Sequence, residues 1–380
     1  AYFTNLHEGK ADAAVDAEVK AAGDELDTIL KQLDPQRHAA MGAAWEQNQA
    51  GWSATPCSDG KRVYAWFHLG VAACFDLDGT RKWMTGVEFA GNVHHGWPCS
   101  PVLIGNRFVA MQAKMWGFDS DSGALAWQMA GSGGWSSMTV ARCGNEPVIV
   151  RPEGAFIRPK DGSQFYEQKE YQTVFAGGAI ASPTRLGDDV VGGLVSGAFV
   201  IAKLSPQKPD LIRIPVINTG PAGGSWAPGI ISSPVMDERY VYLVTEGGLL
   251  IVLDAKEKKE AYRKQLDTRS RFAYCSGPGV VASPLIAAGR LYVVDDYANT
   301  FVIRCGGTFE LLAKNELQDL YPNWSTPVGQ HGVMSSPFID NGKMYLRTGT
   351  NLWCVGVPGP ADKKTDKKAE KKADKKPTKP

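Results

Sequence analysis

The chain has 380 residues, of which 43% are hydrophobic and 21% charged, so it can bury one large core or two smaller ones. Its formal net charge of +1 does not favour nucleic acid as a partner, so none is predicted. No run approaches the ~18 consecutive apolar residues of a membrane-spanning helix, and no signal-peptide pattern is evident.

Residues 1–50 differ from the rest of the chain and predict an N-terminal strand or helical segment. In "AVDAEVKAAGDELDTILKQLDP" the apolar residues step by three or four, which is typical of one helix face, and Asp34-Pro35 ends the pattern. The predicted face consists of Val15, Val19, Ala22, Leu26, Ile29 and Leu33. We expect this face to pack on the rest of the chain; the alternative is that it binds a partner or dimerises. The opening "AYFTNL" is a candidate for one further strand.

Residues 51–357 contain a repeat marked by Ser/Thr-Pro pairs. The repeated residues are Thr55, Ser100, Ser137 (a variant without proline), Ser182, Ser233, Ser283 and Ser336, at intervals of 45, 37, 45, 51, 50 and 53. After each come short apolar strands separated by Gly, Asp or Asn turns. The stretch 232–266 shows four strands, whereas the last unit supplies only three, ending at 351–356. Four short strands at this period predict an all-β fold, a β-propeller of seven or eight four-stranded blades.

Two units end in an Asp-rich turn with Gly four residues before Trp: "CFDLDGTRKW" and "GFDSDSGALAW". This pattern resembles the PQQ-like repeat of quinoprotein-like β-propellers, a family that includes alcohol dehydrogenases and BamB. The resemblance covers roughly residues 52–357 and implies that Trp83 and Trp127 end their outer strands and pack across to the neighbouring blade. It also implies an extracytoplasmic location, in the periplasm or cell envelope.

The resemblance does not carry over a cofactor site. Quinoprotein dehydrogenases of this fold place an adjacent Cys-Cys disulfide beside the quinone, and the seven cysteines here include no adjacent pair and no C-x-x-C. No cofactor and no metal are therefore predicted. PQQ with Ca²⁺ is the alternative.

Residues 358–380 predict a disordered tail. The last twenty residues hold nine Lys against four Asp or Glu, a charge of +5, which leaves about −4 for residues 1–360. No apolar residue larger than alanine is present there to offset the entropy of ordering.

The propeller register predicts one binding mouth. The start of each inner strand and the turn between the second and third strands face the same side of a blade. These segments carry aromatic, histidine and charged side chains, which suit a flat or sugar-like ligand or a partner protein. The predicted mouth residues are Trp52, His68, His95, Trp97, Trp135, Trp226, Asp295, Asp296, His331 and Arg347.

Several of these residues have a structural interpretation beside the functional one. Asp295 and Asp296 predict either an acidic site or a turn that bonds its own backbone. Cys99 and Cys275 lie in mouth loops and are candidates for reactive thiols. Cysteines near third strands are predicted to be small buried residues, namely Cys74, Cys305 and Cys354.

Three functions remain open. The first, which we favour, is a non-catalytic scaffold that presents the mouth to a protein, a small molecule or a polysaccharide. The second is a quinone-dependent dehydrogenase. The third is a metal-dependent enzyme that uses His68, His95 and His331. No catalytic residue can be assigned, because no nucleophile elbow, zinc motif or phosphate loop is present in the sequence.

Overall fold

The structure is a computed structural model, and its described part is almost entirely β. It describes residues 17, 20, 21, 24, 28 and 31, and the ranges 54–67, 70–88, 99–131, 136–169, 174–175, 180–195, 197–216, 229–268, 279–295, 297–317, 335–347 and 352–356. The chain divides into two compact units, Ala1–Ala179 with Leu204–Pro209, and Ile180–Lys203 with Asp210–Pro380.

The first unit contains three antiparallel sheets with strands in chain order. Sheet 1 consists of β1 (Cys57–Ser58), β2 (Arg62–Phe67), β3 (Val71–Asp76) and β4 (Arg81–Gly86). Sheet 2 consists of β5 (Val102–Ile104), β6 (Arg107–Met111), β7 (Lys114–Asp119) and β8 (Leu125–Ala130). Sheet 3 has three strands, β9 (Thr139–Cys143), β10 (Glu146–Val150) and β11 (Phe156–Ile157).

The second unit contains four sheets of the same kind. Sheet 4 consists of β12 (Thr184–Arg185), β13 (Val190–Val195), β14 (Ala198–Lys203) and β15 (Asp210–Pro215). Sheet 5 consists of β16 (Val235–Met236), β17 (Tyr240–Val244), β18 (Leu249–Asp254) and β19 (Lys259–Gln265). Sheet 6 consists of β20 (Leu285–Ala287), β21 (Arg290–Val294), β22 (Asn299–Arg304) and β23 (Leu311–Glu316), and sheet 7 of β24 (Phe338–Asp340), β25 (Lys343–Arg347) and β26 (Leu352–Val355).

The seven sheets follow the seven predicted repeat units. Each inner strand begins shortly after its Ser/Thr-Pro pair, or after Ser137 in sheet 3, and the last unit has three described strands as predicted. Sheet 3 differs from the four-stranded prediction, because a single bridge between Ile157 and Gln164 stands where the fourth strand would pair. Pro159, which has no N–H to donate, lies between the two bridge residues.

The described residues of the N-terminal segment are helical and exposed, and two of them, Lys20 and Asp24, form an ion pair of 2.6 Å. They lie opposite the predicted apolar face on a helical projection. That apolar face, the opening strand and the tail 358–380 lie outside the described residues and stay predictions.

A ladder of serine hydroxyls ties consecutive sheets together at the start of their inner strands. In each step the backbone N–H of one repeat residue donates to the hydroxyl oxygen of the next. In the first unit the steps are Thr55 to Ser100 (3.0 Å) and Ser100 to Ser137 (2.9 Å). In the second unit they are Ser182 to Ser233 (3.0 Å), Ser233 to Ser283 (2.9 Å) and Ser283 to Ser336 (3.0 Å). The repeat serine is therefore a joint between sheets.

Tryptophans tie the sheets of the first unit at their outer strands. The Trp83 indole donates to the Ser120 carbonyl at 3.0 Å, and the Trp127 indole donates to the Pro159 carbonyl at 2.8 Å. Each indole ring also lies against a glycine of the same turn, three residues after the one whose carbonyl accepts the bond. Trp83 covers Gly123, and Trp127 covers Gly162. The predicted packing across to the next sheet is present. The prediction that these residues end their strands is wrong, because each is the third residue of its strand, where it lies opposite the next sheet's turn.

Apolar cores fill the spaces between sheets within each unit. Between sheets 1 and 2 the core is aromatic, with Trp66 and Trp116 rings 5.3 Å apart. Between sheets 5 and 6 it is mainly aliphatic, and the Tyr242 hydroxyl accepts the Gly306 N–H at 2.7 Å. The sheets therefore pack face to face through side chains that alternate along each strand.

We expect Ser233→Ala to lower the free energy of unfolding by about 1–3 kcal/mol, because it leaves the Ser182 N–H without its acceptor. Ser233→Thr keeps an oxygen and should retain most of the stability. Urea unfolding followed by circular dichroism measures both variants. The control is Ser205→Ala, which removes a hydroxyl that donates to the Lys208 carbonyl within its own loop, and it should change stability by about 0.5 kcal/mol or less. Equal losses in Ser233→Ala and the control would contradict the ladder.

A pair of glycine variants tests the tryptophan joint. Gly105 and Gly123 both have left-handed backbone, with φ of +59° and +74°, so alanine strains both. A Cβ at Gly105 meets nothing within 4 Å, whereas one at Gly123 would lie 2.5 Å from the Trp83 ring. Gly123→Ala should therefore cost about 1–3 kcal/mol more than Gly105→Ala in the same unfolding measurement. A smaller difference would mean that Trp83 moves aside freely.

Candidate functional site

In the second unit, the segments that precede the inner strands lie beside the turns that join second and third strands. In sheet 5 the Glu246 N–H donates to the Gly229 carbonyl at 2.6 Å. The Glu246 carbonyl accepts the Val280 N–H of the next sheet at 3.0 Å. In sheet 7 the Ser335 hydroxyl donates to the Arg347 carbonyl at 3.0 Å. Backbone bonds thus fix the geometry of the end at which the mouth residues were predicted.

Four turns between second and third strands share one backbone conformation. The fourth residue of the turn donates its N–H to the carbonyl three residues earlier and has positive φ. These residues are Gly70, Gly154, Gly248 and Ala298, with N···O distances of 3.0, 2.8, 2.8 and 2.9 Å. Ala298 is the exception in residue type, with φ of +62°, and its methyl group packs in the core between sheets 6 and 7. A side chain therefore occupies a position that favours glycine.

Asp295 opens the turn in sheet 6 and is fully buried. One carboxylate oxygen accepts the N–H groups of Tyr297 and Asn299, each at 2.9 Å, and the other accepts the Asn299 side-chain amide at 2.8 Å. Asp295 therefore bonds the backbone of its own turn, which is the structural alternative predicted from the sequence. The buried carboxylate stabilises the turn through these bonds. Asp296 lies outside the described residues.

Arg347 ends β25 and is exposed, so its guanidinium is available to solvent at the same end of sheet 7. The remaining predicted mouth residues lie outside the described residues: Trp52, His68, His95, Trp97, Trp135, Trp226 and His331. Their role stays a prediction.

Two ion pairs occupy this end of the first unit and were not predicted from the sequence. Lys114, at the start of β7, contacts Glu88 at 2.6 Å and joins sheets 1 and 2. Arg151 contacts Glu153 at 2.7 Å within the turn of sheet 3, and its side chain is only 9% exposed. Arg151 also donates to the Ala130 carbonyl of sheet 2 at 3.3 Å. The "RPEG" turn could have suggested this pair, because its Arg and Glu are two residues apart beside a left-handed glycine.

Cys99 is a small buried residue, so the hypothesis that it is a reactive thiol is wrong. It immediately precedes a ladder serine, where the other sheets place alanine or serine, such as Ala181 and Ser232. The side chain is 1% exposed, and burial raises the pKa of the thiol to about 12. Of the third-strand cysteines, Cys74 is buried as predicted, Cys305 is half-buried, and Cys354 is exposed, which corrects that prediction. Cys275 lies outside the described residues.

Metal-ligating side chains do not gather in the described residues. No group of three or more His, Cys, Asp or Glu among them is arranged to hold a metal ion. None of the described helical residues belongs to a helix long and apolar enough to cross a membrane.

Comparison with known proteins supports the family resemblance over part of the chain. Residues 213–320 match the family model described as "Outer membrane protein assembly factor BamB". This range spans the last three residues of β15 and all of sheets 5 and 6. The resemblance to PQQ-like repeat propellers is therefore confirmed there. A search of curated proteins found no match.

The solved structures that match this chain include two with TM-scores above 0.5. BamB from Moraxella catarrhalis is 11% identical with a TM-score of 0.56, over 79% of this chain and 81% of that chain. The C-terminal WD40 domain of Sif2 is 12% identical with a TM-score of 0.55, over 80% of this chain and 81% of that chain. At 11–12% identity, this structural similarity shows a shared fold and carries no information about function. The β-propeller fold predicted from the repeat is confirmed.

We expect Cys99 to resist thiol reagents in the folded protein. With a pKa of about 12, its reactive thiolate forms only as the pH approaches that value, so at pH 8 the group is protonated as well as buried. Cys354 is exposed and serves as the internal control. Iodoacetamide labelling at pH 8 followed by peptide mass spectrometry should modify Cys354 fully before Cys99. Equal labelling rates would show that Cys99 is accessible.

Proposed function

We propose that this chain is a non-catalytic β-propeller scaffold that binds a protein partner outside the cytoplasm. The observation that carries the proposal is the match of residues 213–320 to a family described as an outer membrane protein assembly factor. An assembly factor acts on other proteins, and the described name places that work at the outer membrane. The same match supports the extracytoplasmic location.

The ladder geometry suits a binding scaffold. The serine joints hold the first residues of consecutive inner strands at fixed spacing within each unit. Loops that lead into these strands are therefore mounted on rigid elements, which is where recognition residues are most precisely placed. A rigid platform also reduces the ordering cost of binding.

We further propose that the aromatic and histidine residues before the inner strands make the contact. In the first unit these include His95, Trp97 and Trp135, and in the second unit Trp226 and His331. Structural need accounts for the small residues before the ladder serines, because those pack behind the joint. It does not account for large aromatic side chains, which are enriched in the centres of protein interfaces.

Site-specific photo-crosslinking tests this function. Benzoylphenylalanine replaces Trp135 in one variant and Trp226 in another, an aromatic-for-aromatic change, and the cells that naturally express the protein are irradiated. We expect each variant to give a discrete adduct with the same partner protein, identified by mass spectrometry. Matched controls carry the probe at Lys61 and Glu238, exposed residues in turns at the opposite end of sheets 1 and 5. Adducts that are absent, or equally strong at the control positions, would contradict the proposal.

A further inference from the structure

The outer strand of sheet 5 carries a concentration of positive charge that the fold does not require. Residues 256–264 hold five cationic side chains against two glutamates. The cations are Lys256, Lys258, Lys259, Arg263 and Lys264, and all five are exposed. They lie on β19 and on the turn that leads into it.

Most of this charge is not neutralised within the described part of the chain. Arg263 contacts the Glu260 carboxylate through its Nε at 2.6 Å, which leaves four lysines against one acid, Glu257. The Lys264 ammonium lies 5.4 Å from the centre of the Phe309 ring, a cation–π contact with a group that has no formal charge to neutralise it. Lys256, Lys258 and Lys259 form no ion pair among the described residues. The patch therefore presents a net positive surface to solvent.

Other outer strands do not share this property. The strand β8 has no charged residue, and β15 has one acid and one base. In β23 the single Lys314 contacts Asp267 at 3.0 Å. In β4, which carries Arg81 and Lys82, Lys82 contacts Asp76 at 3.4 Å. If these charges only kept the outer strands soluble, every outer strand would carry a similar number. The outer strand of sheet 5 therefore differs from the outer strands of the other sheets in its positive charge.

The same strand has an open edge for hydrogen bonding. On one side β19 pairs with β18, from Asp254 opposite Lys259 to Leu249 opposite Gln265. In the described sheets no strand pairs with its other side. Exposed strand edges accept an added strand, and lysines there repel a second basic edge, which guards against self-association. An acidic strand meets the opposite situation, because its carboxylates attract these lysines.

We propose that the edge of β19 binds an extended acidic segment of a partner protein as an added antiparallel strand. Backbone hydrogen bonds provide the attachment, and the lysines at 256, 258, 259 and 264 select glutamate- or aspartate-rich sequences. The inference rests on the proposed scaffold function and names a partner chemistry for it. It concerns an outer strand and not the segments that precede the inner strands.

The test uses the full chain and a fluorescein-labelled ten-residue peptide in which glutamate alternates with valine or threonine. Fluorescence anisotropy should show saturable binding that weakens as salt rises. The double variant Lys259→Glu with Lys264→Glu should bind at least tenfold more weakly. The matched control is Arg81→Glu with Lys82→Glu, the same charge reversal on another outer strand, and it should bind like the parent. An equal loss in the control would reduce the effect to net charge and overturn the proposal.

Two further peptides test the mode of binding and its location. N-methylation of alternate residues blocks the hydrogen bonds of one peptide edge, so one of the two methylated series should lose binding; if neither does, strand addition is wrong. A photoreactive version of the peptide should crosslink within residues 256–268. Crosslinks confined to the lysine-rich tail at 358–380 would overturn the site. If the peptide fails while the Trp135 and Trp226 adducts persist, this inference falls and the scaffold function stands.

Discussion

The hydrogen bond from one repeat residue's N–H to the next repeat serine's hydroxyl is the joint on which each unit depends. Within the described ranges it recurs five times with N···O distances of 2.9–3.0 Å. Because the partners are about one repeat apart in sequence, each joint fixes a neighbouring sheet instead of the strand's own sheet. The following proline, buried at Pro101 and Pro234, keeps the serine extended so that its N–H points across. Stability therefore accumulates between neighbouring repeats, as in other repeat proteins.

A second set of joints acts at the outer strands and explains why the sheets do not all look alike. Where the next turn offers a left-handed glycine, as at Gly123, an indole lies flat on it and bonds the backbone. In sheet 3 an aromatic hydroxyl takes the place of the indole, and Tyr166 donates to the Ser205 carbonyl at 2.9 Å. In sheet 5 Tyr262 meets Phe309 edge to ring. The inner joint is thus constant while the outer joint varies with the turn that receives it.

The sequence predicted the number and position of the sheets well because the repeat period, the turns and the alternating strands are local signals. The Trp83 and Trp127 contacts followed from the resemblance to the PQQ-like repeat, which implies that these residues pack across to the neighbouring blade. The serine ladder could not be derived, since its two partners meet only once two sheets are stacked. Cys99 was misjudged for the same reason, because its burial depends on the neighbouring sheet. The Arg151–Glu153 pair needed the turn conformation, which single-sequence patterns do not specify.

These outcomes give a criterion for locating function on a repeated fold. Asp295 and Cys99 are residue types that suggest chemistry, yet each occupies a position where the repeat requires a turn-forming or small side chain. A side chain that the repeat explains carries little information about ligands. The informative residues are those that neither the joints nor the turns require, namely the aromatics before the inner strands and the lysines of β19. Function on this scaffold is therefore sought where one unit departs from its neighbours, since the shared features already have a structural cause.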